Sequence, residues 1–500
     1  MTMKRRTFLL GSISGLSAVA LAACIPEQPS PTPTRTVPPT VTATVPRPIA
    51  FERTAWSTDP FARGAFSFQA VGSTPEQRVA LAQPVDERIF FAGEHTDDLN
   101  PGTVQGALAS GRRAVAEVLA IGGPGERIAV VGAGIAGATA ARDLADAGFS
   151  VVVVEGRDRA GGRLDTIETD NWPVPVELGA SWVYDASRNS VAAELAAVDV
   201  DAQTFDFSFE QRTPDGAVVE PKPVGPDAVT AALAWAAPQP ADLSLLASLA
   251  GSGAAELSDD PDEAGVSDAS RLAGYVTTNV TVQSGADASG LSSWFPGNPT
   301  RSPEDDRFVT GGYKTLVTSR LEGLDVLPSS TVSNITTTER GVSLRMGRGE
   351  SLSADRVVVT VPLGVLQANS IEFTPPLPFT HRDAISALGM GAQEKIVLHF
   401  QEPFWSTEAT VWTVLPGTAT NFEASPTPAP ETGEEANPLV QLWYNLEPLT
   451  GEPILVGVIG GDAAVRMAEL RDDEVLAGAL ASLEPFLDPD RATPTATDSP

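Results

Sequence analysis

A single cysteine, Cys24, stands in a chain of 500 residues. No disulfide can form within it, whatever compartment it occupies. Basic side chains are scarce beside acidic ones: 33 Lys and Arg face 64 Asp and Glu, for a formal net charge of −31. Such a field repels nucleic acid and anionic lipid and attracts cations, so no nucleic-acid partner is expected. It suits a cationic substrate, and it equally keeps an exported protein in solution. A good membrane span is missing as well. The apolar stretch Phe8 to Ala22 is broken by Gly11 and Gly15, and is too short and glycine-rich to cross a bilayer well. No metal is expected.

What the first 24 residues do contain is a targeting pattern, excluded from fold reasoning. Lys4, Arg5 and Arg6 form a basic start, and Thr7-Phe8-Leu9 completes a twin-arginine-like motif. Leu21-Ala22-Ala23-Cys24 resembles a bacterial lipobox, in which the cysteine thiol receives the lipid. The expected product is an exported lipoprotein, anchored at the outer face of the cytoplasmic membrane or cell surface. Residues 25–50 are rich in Pro and Thr, cannot bury a core, and read as an extended tether. Similar stretches run from Ala424 to Pro438, read as a surface loop, and over 491–500, read as a disordered tail.

The strongest chemical signal begins at Arg127. Ile128 to Val131 is a short apolar strand, Gly132-Ala-Gly134-Ile-Ala-Gly137 follows, and a helical pattern runs through Ala147 to Gly148. Gly132 makes a tight turn, Gly134 lets backbone approach a pyrophosphate at the helix N-terminus beside Ala136, and Gly137 lets helix and strand pack closely. The next strand, Val151 to Val154, ends in Glu155, about 20 residues on, where a carboxylate binds ribose hydroxyls. A glutamate there disfavours a 2′-phosphate, so FAD or NAD is expected rather than NADP.

Immediately downstream lies Arg159-Ala-Gly161-Gly162-Arg163-Leu164. A dinucleotide motif followed by Gly-Gly-Arg resembles the FAD enzymes that include amine oxidases, phytoene desaturases and protoporphyrinogen oxidases. That resemblance implies that Arg163 contacts the FAD phosphates. It narrows to the flavin amine oxidases through Glu177-Leu-Gly179-Ala180-Ser181-Trp182, similar to a strand entering the flavin site, and through Phe308-Val-Thr-Gly-Gly-Tyr313. Thr331-Val332-Ser-Asn-Ile335 resembles the strand whose valine backbone holds adenine, and Val359 to Leu366 the return to the nucleotide domain. Lys395, after Leu388-Gly-Met-Gly391 and before Phe404-Trp405, resembles the lysine that holds a water at the flavin's reactive nitrogen.

The order of segments is unusual. Trp56-Ser-Thr-Asp-Pro60, Arg63-Gly-Ala-Phe66-Ser67, Phe91-Ala-Gly93-Glu94-His-Thr96 and Gly102-Thr103-Val104-Gln-Gly106 resemble the end of the family chain, closest to the polyamine oxidase and lysine-specific demethylase subgroup. They normally complete the FAD site, the acid reaching the ribityl chain and the following helix N-terminus pointing at the isoalloxazine. The resemblance therefore implies a circularly permuted amine oxidase fold. A linker, Ile121 to Glu126, would span at most roughly 20 Å. Pairing with a neighbouring chain, or fusion of two tandem genes, are the alternatives.

The fold class implied is α/β: a Rossmann-like FAD-binding domain from 127–185 and 305–370, completed by the permuted segment 51–122. A second, mixed α+β substrate domain would come from 186–304 and 371–490. The activity implied is FAD-dependent oxidation of a small-molecule amine: a hydride passes from its α-carbon to flavin N5, and the imine is hydrolysed. The acceptor would be oxygen, giving hydrogen peroxide, or a quinone or protein; a catalytically silent flavoprotein is the further alternative. Phe66 would form one wall of an aromatic cage, with Thr103 at the other position. Ala65 stands where monoamine oxidases carry a flavin-linked cysteine, so FAD would be noncovalent.

Overall fold

Arg127–Val131, Ser150–Val154 and Arg356–Val359 are rich in β-branched side chains and buried on both faces apart from Arg127, Ser150 and the half-buried Val151. That composition suits strands covered above and below. They lie in a five-stranded sheet ordered 325–327, 150–154, 127–131, 356–359, 89–91, parallel throughout. Successive side chains alternate between two cores. Phe90, Ile128, Val130, Val153 and Val358 pack on the helices Val104–Leu119 and Ile135–Asp146. Phe91, Ala129, Val131, Val152 and Val357 pack instead on the antiparallel strands 332–338, 341–346 and 351–354.

The computed structural model describes residues 44–297, 303–416, 439–488 and 490–491. The leader, Cys24, the tether before Thr44, the stretch Ala424 to Pro438 and the tail from Ala492 lie outside the described residues. Among the described residues no helix is long and apolar enough to cross a membrane.

A second sheet has seven strands, ordered 50–53, 393–399, 454–460, 442–445, 411–414, 209–212, 218–219. One face, with Ile396, Leu398, Trp443 and Trp412, packs on helices Gly461–Glu469 and Asp472–Leu483 and on Phe486. The opposite face, with Val397, Leu442, Tyr444 and Val458, packs on Phe205, Phe308 and Trp172 and lines the site. Helix Asp268–Tyr275 continues into a π-helical turn, Val276–Thr281, which also borders the site. Such turns are uncommon and recur at functional sites.

The front of the chain takes part in both sheets. Strand 50–53 pairs antiparallel with 396–399, and strand 89–91 pairs parallel with 357–359. The linker from Ile121 is tied down at both ends: Gly122 N–H donates to Val118 O, and Gly125 N–H to Gly148 O.

Candidate active site

One cavity of about 1510 Å³ joins the C-terminal ends of the parallel strands to the inner face of the seven-stranded sheet. Ordinary ligand cavities are about 300–1,000 Å³, so this one has room for a dinucleotide and a substrate together. Gly132, Gly134, Ala136, Glu155, Gly162, Gly179, Val332 and Lys395 all line it.

At the nucleotide end, Gly132 adopts φ +110°, and a Cβ there would meet Thr360 Oγ1 at 2.5 Å. A Cβ on Gly137 would stand 2.0 Å from Gly132 O, which is why helix and strand need glycine at their crossing. Gly134 has only Gly161 O within 4 Å of its Cβ position, at 3.8 Å, so bare backbone faces the cavity. No side chain caps the helix that starts there, leaving its first N–H groups for an anionic ligand. Glu155 is buried, and its carboxylate accepts from Ala133 N–H at 2.7 Å and Arg157 N–H at 2.8 Å. It therefore braces the glycine loop from the adjoining strand.

Arg163 and Glu94, read separately from sequence as phosphate and ribityl contacts, form one ion pair of 2.9 Å. Arg163 also donates to Ala65 O at 2.8 Å. Glu94 accepts from Ser67 Oγ at 2.6 Å, Ser67 N–H at 3.2 Å and Gly102 N–H at 2.9 Å. Burial pushes its carboxyl upward, but Arg163, His95, Arg78 and the Ser67 bond outweigh that and hold it at about 2. Gly93 precedes it at φ +129° and donates to Ser110 Oγ. Thr103 is the N-cap of helix Val104–Leu119: its hydroxyl accepts from Gly106 N–H at 3.0 Å and donates to Asn100 O at 2.8 Å. Its role is thus to fix that helix N-terminus beside the cavity. Phe66 lies in a short strand paired with 389–391 and faces the cavity.

Lys395 is buried on strand 393–399. Its Nζ donates to Glu177 O at 3.3 Å, to Gly179 O and to Ser181 Oγ. Burial lowers its pKa and the nearby Glu177 raises it, leaving it at about 8. Burial likewise pushes Glu177 up to about 7, against bonds from Tyr313 N–H and Thr166 Oγ1. Trp56 Nε1 donates to Leu178 O at 3.2 Å. Carbonyls 177, 178 and 179 are thus held in succession by Lys395, Trp56 and Lys395. Ala180 follows them along the cavity wall.

Two groups were not found from the sequence. Glu394, fully buried beside Lys395, accepts four hydrogen bonds from the front segment: Thr54 Oγ1 at 2.5 Å, Trp56 N–H at 2.9 Å, Ser57 N–H at 2.8 Å and Ser57 Oγ at 2.7 Å. Its signal was an acid next to the apolar run Ile396–Leu398. Trp182, read as a cofactor contact, belongs to an aromatic wall with Phe205, Phe207 and Tyr444, at ring separations of 5.1, 5.4 and 5.5 Å. Tyr444 carried no signal, because a tyrosine in a short apolar strand reads as core.

These features fit FAD: an uncapped helix start for pyrophosphate, a braced glycine loop, an open glycine wall and a cavity large enough for the whole group. The chain matches the family described as flavin containing amine oxidoreductase over residues 34–119 and 135–499. It is similar to polyamine oxidase 4 of Oryza sativa subsp. japonica, 28% identical over 395 residues, covering 74% of each chain. It is also similar to lysine-specific histone demethylase 1 homolog 1 of Arabidopsis thaliana, 29% identical over 379 residues, covering 69% of this chain and 40% of that one. The solved structure of wild-type putrescine oxidase bound to putrescine shares the fold, with a TM-score of 0.54 at 21% identity, covering 74% of this chain and 83% of that one. By the extent of the family match, the chain belongs to the flavin containing amine oxidoreductases, and its cofactor is FAD.

Proposed function

We propose that this protein is an oxygen-dependent amine oxidase that holds FAD without a covalent bond and releases hydrogen peroxide. The observation that carries the reading is the single cavity running from Gly134 past Lys395 to the aromatic wall at Tyr444. The glycine loop, the start of helix Ile135–Asp146 and Glu155 would hold the nucleotide; Arg163, Glu94 and the Thr103-capped helix would surround the flavin half. When bound, FAD supplies the acceptor for the hydride equivalent from the amine α-carbon.

The chain's own residues supply the rest. Trp182, Phe207 and Tyr444 exclude water and pack the substrate's methylenes. The reacting amine must be neutral, and burial lowers Lys395 Nζ to about 8, so its neutral form, which can accept the proton that the substrate ammonium loses, is within reach of physiological pH. Lys395 also fixes the carbonyls 177 and 179 from beneath the reacting centre, and water entering the cavity hydrolyses the imine product. Ala65 stands where a cysteinyl flavin bond would need a thiol. Acid precipitation should therefore release the yellow colour into the supernatant.

The same reading includes a permuted chain order. It is supported by the resemblance of residues 56–106 to the family's closing segments and by the pairing of strands 50–53 and 89–91 within this chain. Export and lipid anchoring through Cys24 rest on the twin-arginine-like and lipobox-like residues; radiolabelled palmitate entering the parent but not Cys24→Ala tests them. For the activity, a panel of amines is mixed anaerobically with the FAD-loaded protein and then exposed to air. Flavin bleaching followed by stoichiometric peroxide is expected. Bleaching without peroxide would move the acceptor elsewhere, and no bleaching with any amine would overturn the reading.

A further inference from the structure

The register of the seven-stranded sheet places five residues in one row across its inner face. Lys395 pairs with Val458, Val458 with Leu442, Leu442 with Thr413, and Thr413 with Gln211. All five line the cavity. Neighbouring strands are spaced about 4.8 Å apart, which puts Thr413 roughly 14 Å and Gln211 roughly 19 Å from Lys395 along the floor. Between the two polar ends lie only Val458 and Leu442. On the adjoining row Phe209, Val411 and Tyr444 continue the apolar floor.

Thr413 is 6% exposed, and its hydroxyl has no hydrogen-bond partner. A buried polar group without a partner is uncommon and calls for a reason. The fold supplies none: its neighbours Trp412 and Val414 face the opposite core, and a valine would fill the same volume at 413. The buried hydroxyl shares its Cβ with a methyl, and rotation about χ1 exchanges their positions. Gln211 likewise lines the cavity, with no side-chain hydrogen bond among the described residues.

We propose that Thr413 and Gln211 form a distal subsite that takes a neutral hydrogen-bonding group, of the amide kind, at the far end of a linear amine whose reacting carbon lies near Lys395. This inference rests on the amine-oxidation reading for its reacting end alone. A hydroxyl and a carboxamide together offer donors and acceptors but carry no charge themselves, which matches an amide. The apolar row between them takes the methylenes. The proposal assigns substrate length and end-group chemistry to the sheet floor, not to the catalytic residues.

The test is anaerobic titration calorimetry of the FAD-loaded full chain, its flavin first reduced with dithionite so that it can accept no hydride, with three sets of amines of graded length, ending in methyl, N-acetyl or a second amino group. At one optimal length the N-acetyl amine is expected to bind about 10-fold more tightly than its methyl-ended counterpart. Thr413→Val and Gln211→Leu should each reduce that preference about 3- to 10-fold, the range of one hydrogen bond. Affinity for the methyl-ended amines and the melting temperature should stay as in the parent. An unchanged acetyl-to-methyl ratio in both variants would overturn the subsite, as would a diamine bound more tightly than the N-acetyl amine. Because binding is read without turnover, a protein that shows the preference but never bleaches would sink amine oxidation and leave the subsite standing.

Discussion

At the scale of single residues, Lys395 and Glu94 carry the sharpest consequences. Lys395→Met keeps the aliphatic stem but leaves the buried carbonyls 177 and 179 without their donor, so a lower urea midpoint is expected, and rates are compared per bound FAD. Flavin reduction or reoxidation, read by rapid mixing with an identified amine, should slow by roughly 10²- to 10³-fold; both half-reactions within about twofold of the parent would make Lys395 a structural residue. Glu94 has a folded-state pKa of about 2 against an ordinary 4.5. Its charged form therefore stabilises the fold fully above pH 4.5, and that contribution is lost as pH falls from 4.5 through 2, a span of about 3 kcal/mol. Urea unfolding of Glu94→Gln should show less loss of stability than the parent across that window. Lys395 and Glu94 were legible as site residues because they stand in recognisable motifs. Their partners were not: the pairing of Glu94 with Arg163, and the placing of Lys395 under carbonyls 177 and 179, depend on segments far apart in the chain.

At the scale of elements, the parallel strand, glycine turn and helix over 127–147 were readable from local pattern alone. Each glycine there answers a contact within a few residues or across one strand. The seven-stranded sheet was not readable, because its strands come from five separated regions and several are only four residues long. What staples the front segment to it is Glu394, and no periodicity reports four donors arriving from residues 54–57. Glu394→Gln puts an amide N–H₂ where an oxygen accepted, orphaning about two of those donors. A loss of roughly 2–5 kcal/mol follows, visible as a lower urea midpoint, together with reduced FAD content. Deleting residues 51–122 removes Glu394's partners, Glu94 and the Thr103-capped helix at once. The truncated chain should not retain FAD on gel filtration; stoichiometric retention would show that the front segment is dispensable.

At the scale of the whole molecule, the net charge of −31 left two readings open, attraction of cations or simple solubility. Salt separates them, since the Debye length falls from about 30 Å at 0.01 M to about 10 Å at 0.1 M. If the field gathers substrate, kcat/KM for a charged amine should fall severalfold over that range with kcat unchanged; a flat response would assign the acid excess to solubility. The arrangement of the sheets has a consequence for the chain's birth. Strand 50–53 finds its partner only at 396–399, and strand 89–91 only at 357–359. At roughly 5–20 residues per second, the first of these leaves the ribosome about 20 to 70 s before the segment it must pair with. Through that interval the nascent chain holds out unpaired strand edges and the apolar side chains Phe90 and Phe91. Its dependence on a holding chaperone should therefore be greatest while the front third is already made and the last quarter is not.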